Sequence, residues 1–328
     1  MMYPWQGQAF RQLAGERGRL PQALLLQGPQ GLGKTEFARH LAQALLCESP
    51  LPDGSPCNAC VACNWFVAGN HPDFRHLGVE DEAVDEDGAG DTSPRKGSPQ
   101  IGVDAVRGLA GFTTTSTHRD GLRIVLVEPA EALNVHAANA LLKTLEEPRP
   151  GTLFLLVSHA PARLPATIRS RCRAVPFHPP RTPEAHEWLV QSGIANPVLF
   201  LALAGGAPLE ALRLARQDSG QRAEFLRRLA DPSQSLVQLS EFVARLPVPE
   251  WLGWLERWAH DLVAQKLAGE TRYHVDFRDL SARVAAHADL YDLLAWERTL
   301  RDAKRLVHHP LNPRLLAESL LVPLLAMR

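Results

Sequence analysis

A glycine-rich segment, GPQGLGKT at residues 28–35, combines a flexible backbone with one lysine and one threonine. It meets the phosphate-loop pattern G-x-x-x-x-G-K-[ST], and its candidate nucleotide-binding residues are Gly28, Gly31, Gly33, Lys34 and Thr35. Glycines let backbone N–H groups turn toward phosphate oxygens, the lysine reaches the β- and γ-phosphates, and the threonine hydroxyl holds Mg²⁺. The apolar run ALLLQ before the loop predicts a buried strand, and the periodic residues after it predict a helix. We therefore expect a site for ATP or ADP with Mg²⁺.

A second apolar run, RIVLV at residues 123–127, predicts a buried strand that ends in Glu128-Pro129-Ala130-Glu131. A phosphate loop that hydrolyses ATP needs a carboxylate for Mg²⁺ at such a strand end, and a further residue that orients or activates water. Glu128 stands at the metal position. Pro129, whose side chain cannot accept a proton, stands at the position of the base. Glu131 is interpreted as an acid in the first turn of a helix, so we expect binding with little or no hydrolysis.

Four of the five cysteines are closely spaced, because Cys57, Cys60 and Cys63 form C-x2-C-x2-C and Cys47 lies ten residues before them. Two-residue gaps let adjacent thiolates converge on one ion, and four sulfurs suit tetrahedral Zn²⁺. Four protein ligands leave no open position, so the predicted role is structural. An iron–sulfur cluster is the alternative, since it uses similar spacings. Cys172 is interpreted as a small buried apolar residue.

The length of 328 residues predicts two or three domains. Strands that alternate with helices predict an α/β domain with a parallel sheet, followed by a small helical lid and an all-α domain. An acidic, glycine-containing stretch with almost no large apolar residue predicts a disordered surface insertion. The predicted segments are the α/β domain 1–176 with its metal loop 47–63 and insertion 80–100, the lid 177–213, and the C-terminal domain 214–328.

The charge of the chain is nearly balanced, with a formal net charge of −1. A protein that coats DNA on its own is usually more basic, so we expect any nucleic-acid contact to be local or shared with partner subunits. No run of eighteen apolar residues occurs, and the start MMYPWQGQAF lacks the features of a signal peptide. We expect a soluble cytoplasmic protein with no membrane partner.

Several segments together resemble the AAA+ subunits of bacterial DNA polymerase III clamp loaders. These are the phosphate loop, the C-x9-C-x2-C-x2-C spacing, ALLKTLEEP at residues 140–148 and SRC at residues 170–172. NHPDF at residues 70–74, IGVDAVR at residues 101–107 and the altered acidic segment are most similar to the delta-prime type rather than to the gamma/tau motors. The resemblance covers most of residues 5–213.

The resemblance implies a P-loop AAA+ domain, a lid and a C-terminal collar within a hetero-pentameric ring that includes gamma/tau- and delta-type subunits. In such a ring ATP lies between neighbours, and the arginine of SRC reaches into the neighbour's site. Arg171 is thereby expected to be a trans arginine finger, whereas without the resemblance it would be an ordinary basic residue at a helix end. The ring would load the sliding clamp on primed DNA during DNA replication. The nucleotidyltransferase activity would belong to the DNA polymerase holoenzyme.

Two further positions depart from the motor pattern. Leu209, in the stretch GAPL at residues 206–209, stands where motors carry a nucleotide-sensing lid arginine. The polar sensor at the end of the third strand falls on Ser158 or His159, and the sequence leaves this choice open. Together with Pro129, these departures favour a non-motor subunit that binds nucleotide without useful turnover. The alternative is a hydrolysing gamma/tau-like ATPase.

Overall fold

The structure is a computed structural model, and it describes residues 2–79, 100–114, 121–147, 149–231, 233–305, 307 and 312–327. The chain divides into two compact units, Met1–Pro180 and Arg181–Arg328. Apart from Gln100, the predicted disordered insertion over residues 80–100 lies outside the described residues.

In the described part of the first unit, five parallel strands form one sheet in the order β2-β3-β4-β1-β5. Their bounds are β1 Ala23–Gln27, β2 Phe74–Gly78, β3 Arg123–Glu128, β4 Thr152–Ser158 and β5 Arg173–Pro176. Strands β1, β3 and β4 are apolar and buried, as expected for central parallel strands covered on both faces. The register pairs Gln27 with Ser158 and Gly78 with Glu128, so the carboxyl ends of neighbouring strands meet at one end of the sheet.

Helices pack against this sheet. Their bounds are α1 Gly7–Gly15, α2 Lys34–Leu46, α3 Val61–Val67, α4 Val103–Thr114, α5 Val135–Glu146 and α6 Ala166–Arg169. Helix α2 contacts β1, β3 and β4, and α1 packs on α2. Helices α4 and α5 pack together over a core cluster that includes Leu25, Val125 and Phe154. The helix that carries the phosphate loop at its start is therefore anchored to the three buried strands.

Three elements of this unit differ from what the sequence predicts. Apolar residues at helical spacing predict a single helix over residues 130–147, and this is wrong, because a short 3-10 helix, Ala130–Ala132, precedes α5. The Asn134 side chain accepts a hydrogen bond from the Ala137 N–H at 2.8 Å and so caps the start of α5. Strands β2 and β5 escaped prediction because they are short, partly polar and exposed at the sheet edges.

The described part of the second unit is helical, and no strand is seen in it. Its helices are α7 Thr182–Gln191, α8 Pro197–Leu203, α9 Pro208–Gln217, α10 Gln221–Ala230, α11 Leu236–Val243, α12 Val248–Ala268, α13 Arg278–His287, α14 Leu290–Arg305 and α15 Pro313–Ala326. Trp251, Trp258 and Trp296 are buried in the core of α10 to α15. The predicted fold class, an α/β phosphate-loop domain with a parallel sheet followed by a helical part, is confirmed.

The separation of a lid, 177–213, from a collar, 214–328, stays a prediction. Residues of the lid segment form a small core cluster of their own around Leu189, Leu201 and Ala211. Among the described residues, no single helix has both the length and the apolar character to cross a membrane. Helices α8 and α9, bent by 110° at their junction, pass that test only as a pair.

Candidate functional site

The phosphate loop connects the end of β1 to the start of α2. Gly31 and Gly33 have φ angles of +81° and +77°, which glycine adopts without strain. A Cβ atom on Gly28 would lie 2.2 Å from the carbonyl oxygen of Phe177, and one on Gly33 would lie 2.5 Å from the Tyr3 ring. The three glycines of the pattern are thus required by backbone conformation or by close neighbours.

Lys34 is buried inside the loop, with only 2% of its surface exposed. Its Nζ donates hydrogen bonds to the carbonyl oxygens of Gly28 at 2.8 Å and Pro29 at 2.6 Å. Burial lowers the pKa of Lys34 to about 8, against the opposing effect of the carboxylates of Glu131 and Glu128. The Lys34 amine is therefore mostly protonated at neutral pH, whereas the two carbonyl oxygens that it bonds to are uncharged. An anionic group entering the loop would meet a preformed cation.

Thr35 and Glu128, the two residues predicted to hold Mg²⁺, are brought together. The Thr35 Oγ1 donates a hydrogen bond to Glu128 Oε1. On the other side, His76 Nε2 lies 3.6 Å from Glu128 Oε2, and Arg39 Nη2 lies 3.5 Å from His76 Nδ1. Burial opposes ionisation of Glu128, but the bonds from His76 and Thr35 and the charges of His76 and Arg39 lower the pKa of this carboxyl below its ordinary value. The site thus favours an ionised carboxylate.

The carboxylate of Glu131 is bound to the end of β4. Glu131 lies in the first turn of a helix, as predicted, and this helix is the 3-10 helix Ala130–Ala132. Its side chain also bonds to residues outside that helix. Its Oε1 accepts hydrogen bonds from the backbone N–H groups of His159 at 2.9 Å and Ala160 at 3.1 Å. One carboxylate oxygen is therefore occupied by the backbone of the neighbouring strand end.

Polar atoms at the end of β4 are left without partners. Ser158 Oγ, His159 Nδ1 and Glu131 Oε2 are buried and have no hydrogen-bond partner among the described residues. Burial, together with the nearby charge of Lys34, lowers the pKa of His159, so its ring is neutral at pH 7. Buried polar atoms in native proteins nearly always bond to protein, water or ligand. Both candidate sensors lie at this place, and the structure leaves the choice between them open.

An N-terminal segment that sequence reasoning missed supports the loop from outside. Trp5 Nε1 donates to the Leu32 carbonyl at 3.1 Å, and Gln6 Nε2 donates to the carbonyls of Leu32 at 3.0 Å and Gly33 at 2.7 Å. The rings of Tyr3 and Trp5 stack with centroids 5.1 Å apart. The aromatic segment YPW was the only sequence signal for this role, and its composition does not indicate which part of the chain it contacts.

The four clustered cysteines converge as predicted. The Sγ atoms of Cys47, Cys57, Cys60 and Cys63 all lie within 4.8 Å of one another. Cys47 Sγ is 3.5 Å from Cys57 Sγ and 3.9 Å from Cys60 Sγ. Tetrahedral Zn–S bonds of about 2.3 Å separate sulfurs by about 3.8 Å. The described residues include all five cysteines, which are free thiols, and these four could hold a metal ion.

Backbone groups orient the same sulfurs. The N–H groups of Cys57, Cys60 and Cys63 donate to the Sγ atoms of Cys47, Cys57 and Cys60, respectively, at 3.3–3.4 Å. Hydrogen bonds from the N–H groups of Ala59 and Cys60 lower the pKa of the Cys57 thiol to about 6. Burial raises the pKa of Cys63 to about 12. A bound cation would favour the thiolate form at all four positions.

Arg171 lies just after α6, and its guanidinium contacts two helices. Its Nη2 is 2.5 Å from Glu146 Oε1, and its Nη1 donates to the Thr167 carbonyl at 3.0 Å. About a third of the side chain is exposed (34%). The next residue, Cys172, is half-buried against the cluster of α4 and α5, and burial raises its pKa to about 11, which fits an apolar packing role. These contacts of Arg171 are with α5 and α6 rather than with the phosphate loop of its own chain.

Known proteins resemble this chain over most of its length. A family model described as DNA polymerase III, delta subunit, matches residues 5–181. The DNA polymerase III subunit delta' of Pseudomonas aeruginosa is 38% identical, over 81% of this chain and 78% of its own length. The subunit delta' of Escherichia coli is 33% identical, over 87% of this chain and 83% of its own length. The chain belongs to the family of DNA polymerase III delta' subunits.

Two further similarities are more limited. The DNA polymerase III subunit tau of Escherichia coli is 32% identical, but the matched region is 53% of this chain and 26% of tau. Among solved structures, a gamma subunit-related protein of DNA polymerase III from Thermotoga maritima is 18% identical with a TM-score of 0.45, covering 98% of this chain and 100% of the other. The predicted resemblance to the delta-prime type rather than to the tau type is confirmed by the delta' relatives.

Proposed function

We propose that this chain is the non-motor delta' subunit of a replicative clamp loader. It binds ATP or ADP with little or no hydrolysis and contributes Arg171 to the nucleotide site of a neighbouring ATPase subunit. It does so in a hetero-pentameric ring with gamma/tau- and delta-type subunits that loads the sliding clamp on primed DNA in the cytoplasm. Membership in the delta' family, and the partial similarity to tau, support this assembly.

Nucleotide binding is supported by what surrounds Lys34. The buried ammonium is bonded to two neutral carbonyls, and buried polar atoms of Ser158 and His159 nearby lack partners within the described part of the chain. Phosphate oxygens would neutralise the Lys34 ammonium and accept hydrogen bonds from the backbone N–H groups of the loop. Thr35 and Glu128 would hold the Mg²⁺ that accompanies the nucleotide, and this ion would neutralise phosphate charge.

Weak hydrolysis is supported by one observation above all, the fixed carboxylate of Glu131. Pro129 supplies no base, and Glu131 is the nearest acid after it in the chain. The Glu131 Oε1 already accepts two backbone N–H bonds, so only Oε2 is left to act on a water molecule, and moving the carboxylate toward one would break both bonds. The alternative, a hydrolysing gamma/tau-like ATPase, requires another carboxylate to replace it.

The role of Arg171 is supported by its position and exposure. A guanidinium placed near a γ-phosphate stabilises the charge that develops as the phosphoryl group is transferred. Arg171 is partly exposed and forms no hydrogen bond to the described residues of its own phosphate loop. Its charge is therefore accessible to a neighbouring chain.

The four-cysteine cluster would hold structural Zn²⁺ through Cys47, Cys57, Cys60 and Cys63. The sulfur separations support this assignment, and the ion would order the loop 47–63. Elemental analysis of the purified protein should find about one zinc per chain, as expected for a four-thiolate site. Iron with visible absorbance would instead support the iron–sulfur alternative.

Two measurements test the nucleotide and finger roles. The purified chain, supplied with sliding clamp and primed DNA, should show no ATP turnover above that of its Lys34→Ala variant. Turnover typical of a motor subunit, abolished by Lys34→Ala, would support the gamma/tau-like alternative. In the assembled loader, Arg171→Ala should lower ATP turnover by about the share of the one site that this arginine serves, since a finger contributes about a thousandfold or more to its own site. Arg169→Ala, two residues away, is the matched control and should leave it unchanged.

A further inference from the structure

We propose that Glu146 is a positioning residue for Arg171. This inference rests on the proposed function, in which Arg171 serves a neighbouring subunit. The Glu146 carboxylate lies 2.5 Å from Arg171 Nη2, and the Thr167 carbonyl accepts from Arg171 Nη1 at 3.0 Å. Two contacts from different helices, α5 and α6, therefore hold the guanidinium from two directions.

The place of Glu146 in α5 argues against a role in helix stability. Glu146 is the last residue of α5, and the C-terminal end of a helix carries partial negative charge. A carboxylate is disfavoured there unless a cation lies close to it. About half of the Glu146 side chain is exposed (48%), and exposed ion pairs contribute little to folding. What the pair does contribute is a defined orientation of the Arg171 guanidinium.

The geometry leaves Arg171 able to bind a further anion. A guanidinium has five N–H donors in a rigid fork, and the contacts with Glu146 and Thr167 do not use all of them. The remaining donors suit the oxygens of a phosphate, for which arginine is well shaped. An arginine that is already oriented loses less conformational freedom when it meets the neighbour's nucleotide. Glu146 thus prepares Arg171 without touching the nucleotide itself.

The test uses the complete clamp loader assembled with this chain, sliding clamp and primed DNA. Glu146→Gln keeps the size of the side chain and removes its charge. Glu147→Gln is the matched control, because Glu147 is the adjacent exposed residue just after α5. Both variants are combined with Arg171→Ala, and kcat and KM for ATP are measured for each loader. Thermal unfolding of the isolated variants reports on structure.

We expect Glu146→Gln to lower kcat by a factor no larger than that of Arg171→Ala, with KM little changed, as loss of orientation at the reacting group predicts. We expect no further loss when it is added to Arg171→Ala, because both changes then act through the same guanidinium. The melting temperature of Glu146→Gln should be close to that of the unchanged protein, since exposed ion pairs contribute little to folding. Glu147→Gln should behave as the unchanged protein does.

Three results would overturn the positioning role. The first is an unchanged kcat in Glu146→Gln. The second is a loss that multiplies with that of Arg171→Ala, which would indicate an independent effect. The third is a rise in turnover, which would mean that Glu146 withholds Arg171 from the neighbour. If Arg171→Ala itself left turnover unchanged, the proposed arginine finger would be wrong. If Arg171→Ala lowered turnover but Glu146→Gln did not, the finger would stand and only the positioning role of Glu146 would be wrong.

Discussion

Two buried charged side chains, Lys34 in the phosphate loop and Asp261 in α12, are surrounded in different ways. Asp261 is fully buried, and its carboxylate accepts backbone N–H bonds from Arg272 at 2.8 Å, Tyr273 at 2.9 Å and His274 at 2.7 Å. Lys34 is almost as buried, but its two acceptors are neutral carbonyls of its own loop. The first charge is enclosed by donors that belong to the fold, whereas the second is bonded only to neutral carbonyls among the described residues.

The same difference extends to the histidines beside these charges. His274 accepts a hydrogen bond at Nδ1 from Arg222 at 3.1 Å and donates from Nε2 to the Trp254 carbonyl at 3.2 Å. Burial lowers the pKa of His274 to about 3, so the ring is neutral, as this bonding requires. Arg222 in turn pairs with Asp276 at 2.5 Å. Both ring nitrogens of His274 have partners, whereas Nδ1 of His159 has none among the described residues.

The polar groups around Asp261 have their hydrogen bonds made within the protein, whereas several polar atoms at the end of β4, beside Lys34, have no partner among the described residues. A buried polar cluster in which every hydrogen bond is made rigidifies its surroundings. Removing one member leaves its partners buried without a hydrogen bond, which lowers stability. A cluster that contains unpaired donors or acceptors can form the missing hydrogen bonds with a ligand. Mutations around Asp261 should therefore change stability, and mutations around Lys34 should change nucleotide affinity.

The largest expected effect is that of Lys34→Ala on nucleotide affinity. We expect ATP and ADP to bind about a thousandfold more weakly, or about 4 kcal/mol, because each charged hydrogen bond to a phosphate contributes about 1.5–3 kcal/mol. The melting temperature without nucleotide should not fall, since a desolvated charge is removed. Isothermal titration calorimetry measures the affinity, with the exposed Lys143→Ala as the control. Equal affinities in the two variants would contradict the assignment of the loop.

The second effect is that of Asp261→Ala on stability. It should lower the free energy of unfolding of the second unit by about 3 kcal/mol, because three backbone N–H groups, of which that of His274 is buried, lose their acceptor. Denaturant unfolding measures this change. The exposed Asp279→Ala, in the first turn of α13, should cost about 0.5 kcal/mol. Nucleotide affinity should be the same in both variants, and a weakened affinity in Asp261→Ala would break the comparison.

The third prediction concerns pH. In the proposed site Lys34 binds phosphate in its protonated form, and its pKa is about 8 in the free protein. Phosphate raises this pKa, so affinity is nearly constant below pH 8 and falls by up to tenfold for each pH unit above it. We expect binding to be about eightfold weaker at pH 9 than at pH 7.5. Lys34→Met, which cannot titrate, should bind weakly at both pH values, and a pH slope in that variant would exclude Lys34 as its source.

The smallest effect distinguishes two unsatisfied hydroxyls of the same strand. Ser158 Oγ and Thr152 Oγ1, at opposite ends of β4, are both buried without a partner among the described residues. Only Ser158 lies at the loop end. Ser158→Ala should weaken nucleotide binding about threefold, or about 0.7 kcal/mol, the size of one modest hydrogen bond. Thr152→Val should leave binding unchanged. Equal effects would show that the unsatisfied atoms do not mark the ligand site.

The sequence by itself determined the parts of this protein that are encoded locally. Strand β1 has the bounds of its predicted run, and β3 extends one residue beyond its run, because each is built on consecutive apolar residues. The spacing of the glycines predicted the loop, and the spacing of the cysteines predicted a cluster whose sulfurs do converge. The helices of the second unit follow from apolar residues at helical intervals. Each of these signals lies within one short stretch of the chain, where backbone geometry links spacing closely to position.

Only the tertiary structure decided the contacts that join distant segments. Edge strand β2 carries no apolar pattern, so the position of His76 beside Glu128 could not be predicted. The bond of Glu131 to the end of β4 spans 28 residues, and the pair of Glu146 with Arg171 joins two helices. Such contacts depend on how strands and helices pack, and the side-chain types alone are compatible with many partners. The packing thereby places two carboxylates near the phosphate loop, Glu128 bonded to Thr35 and close to His76, and Glu131 bonded to the end of β4.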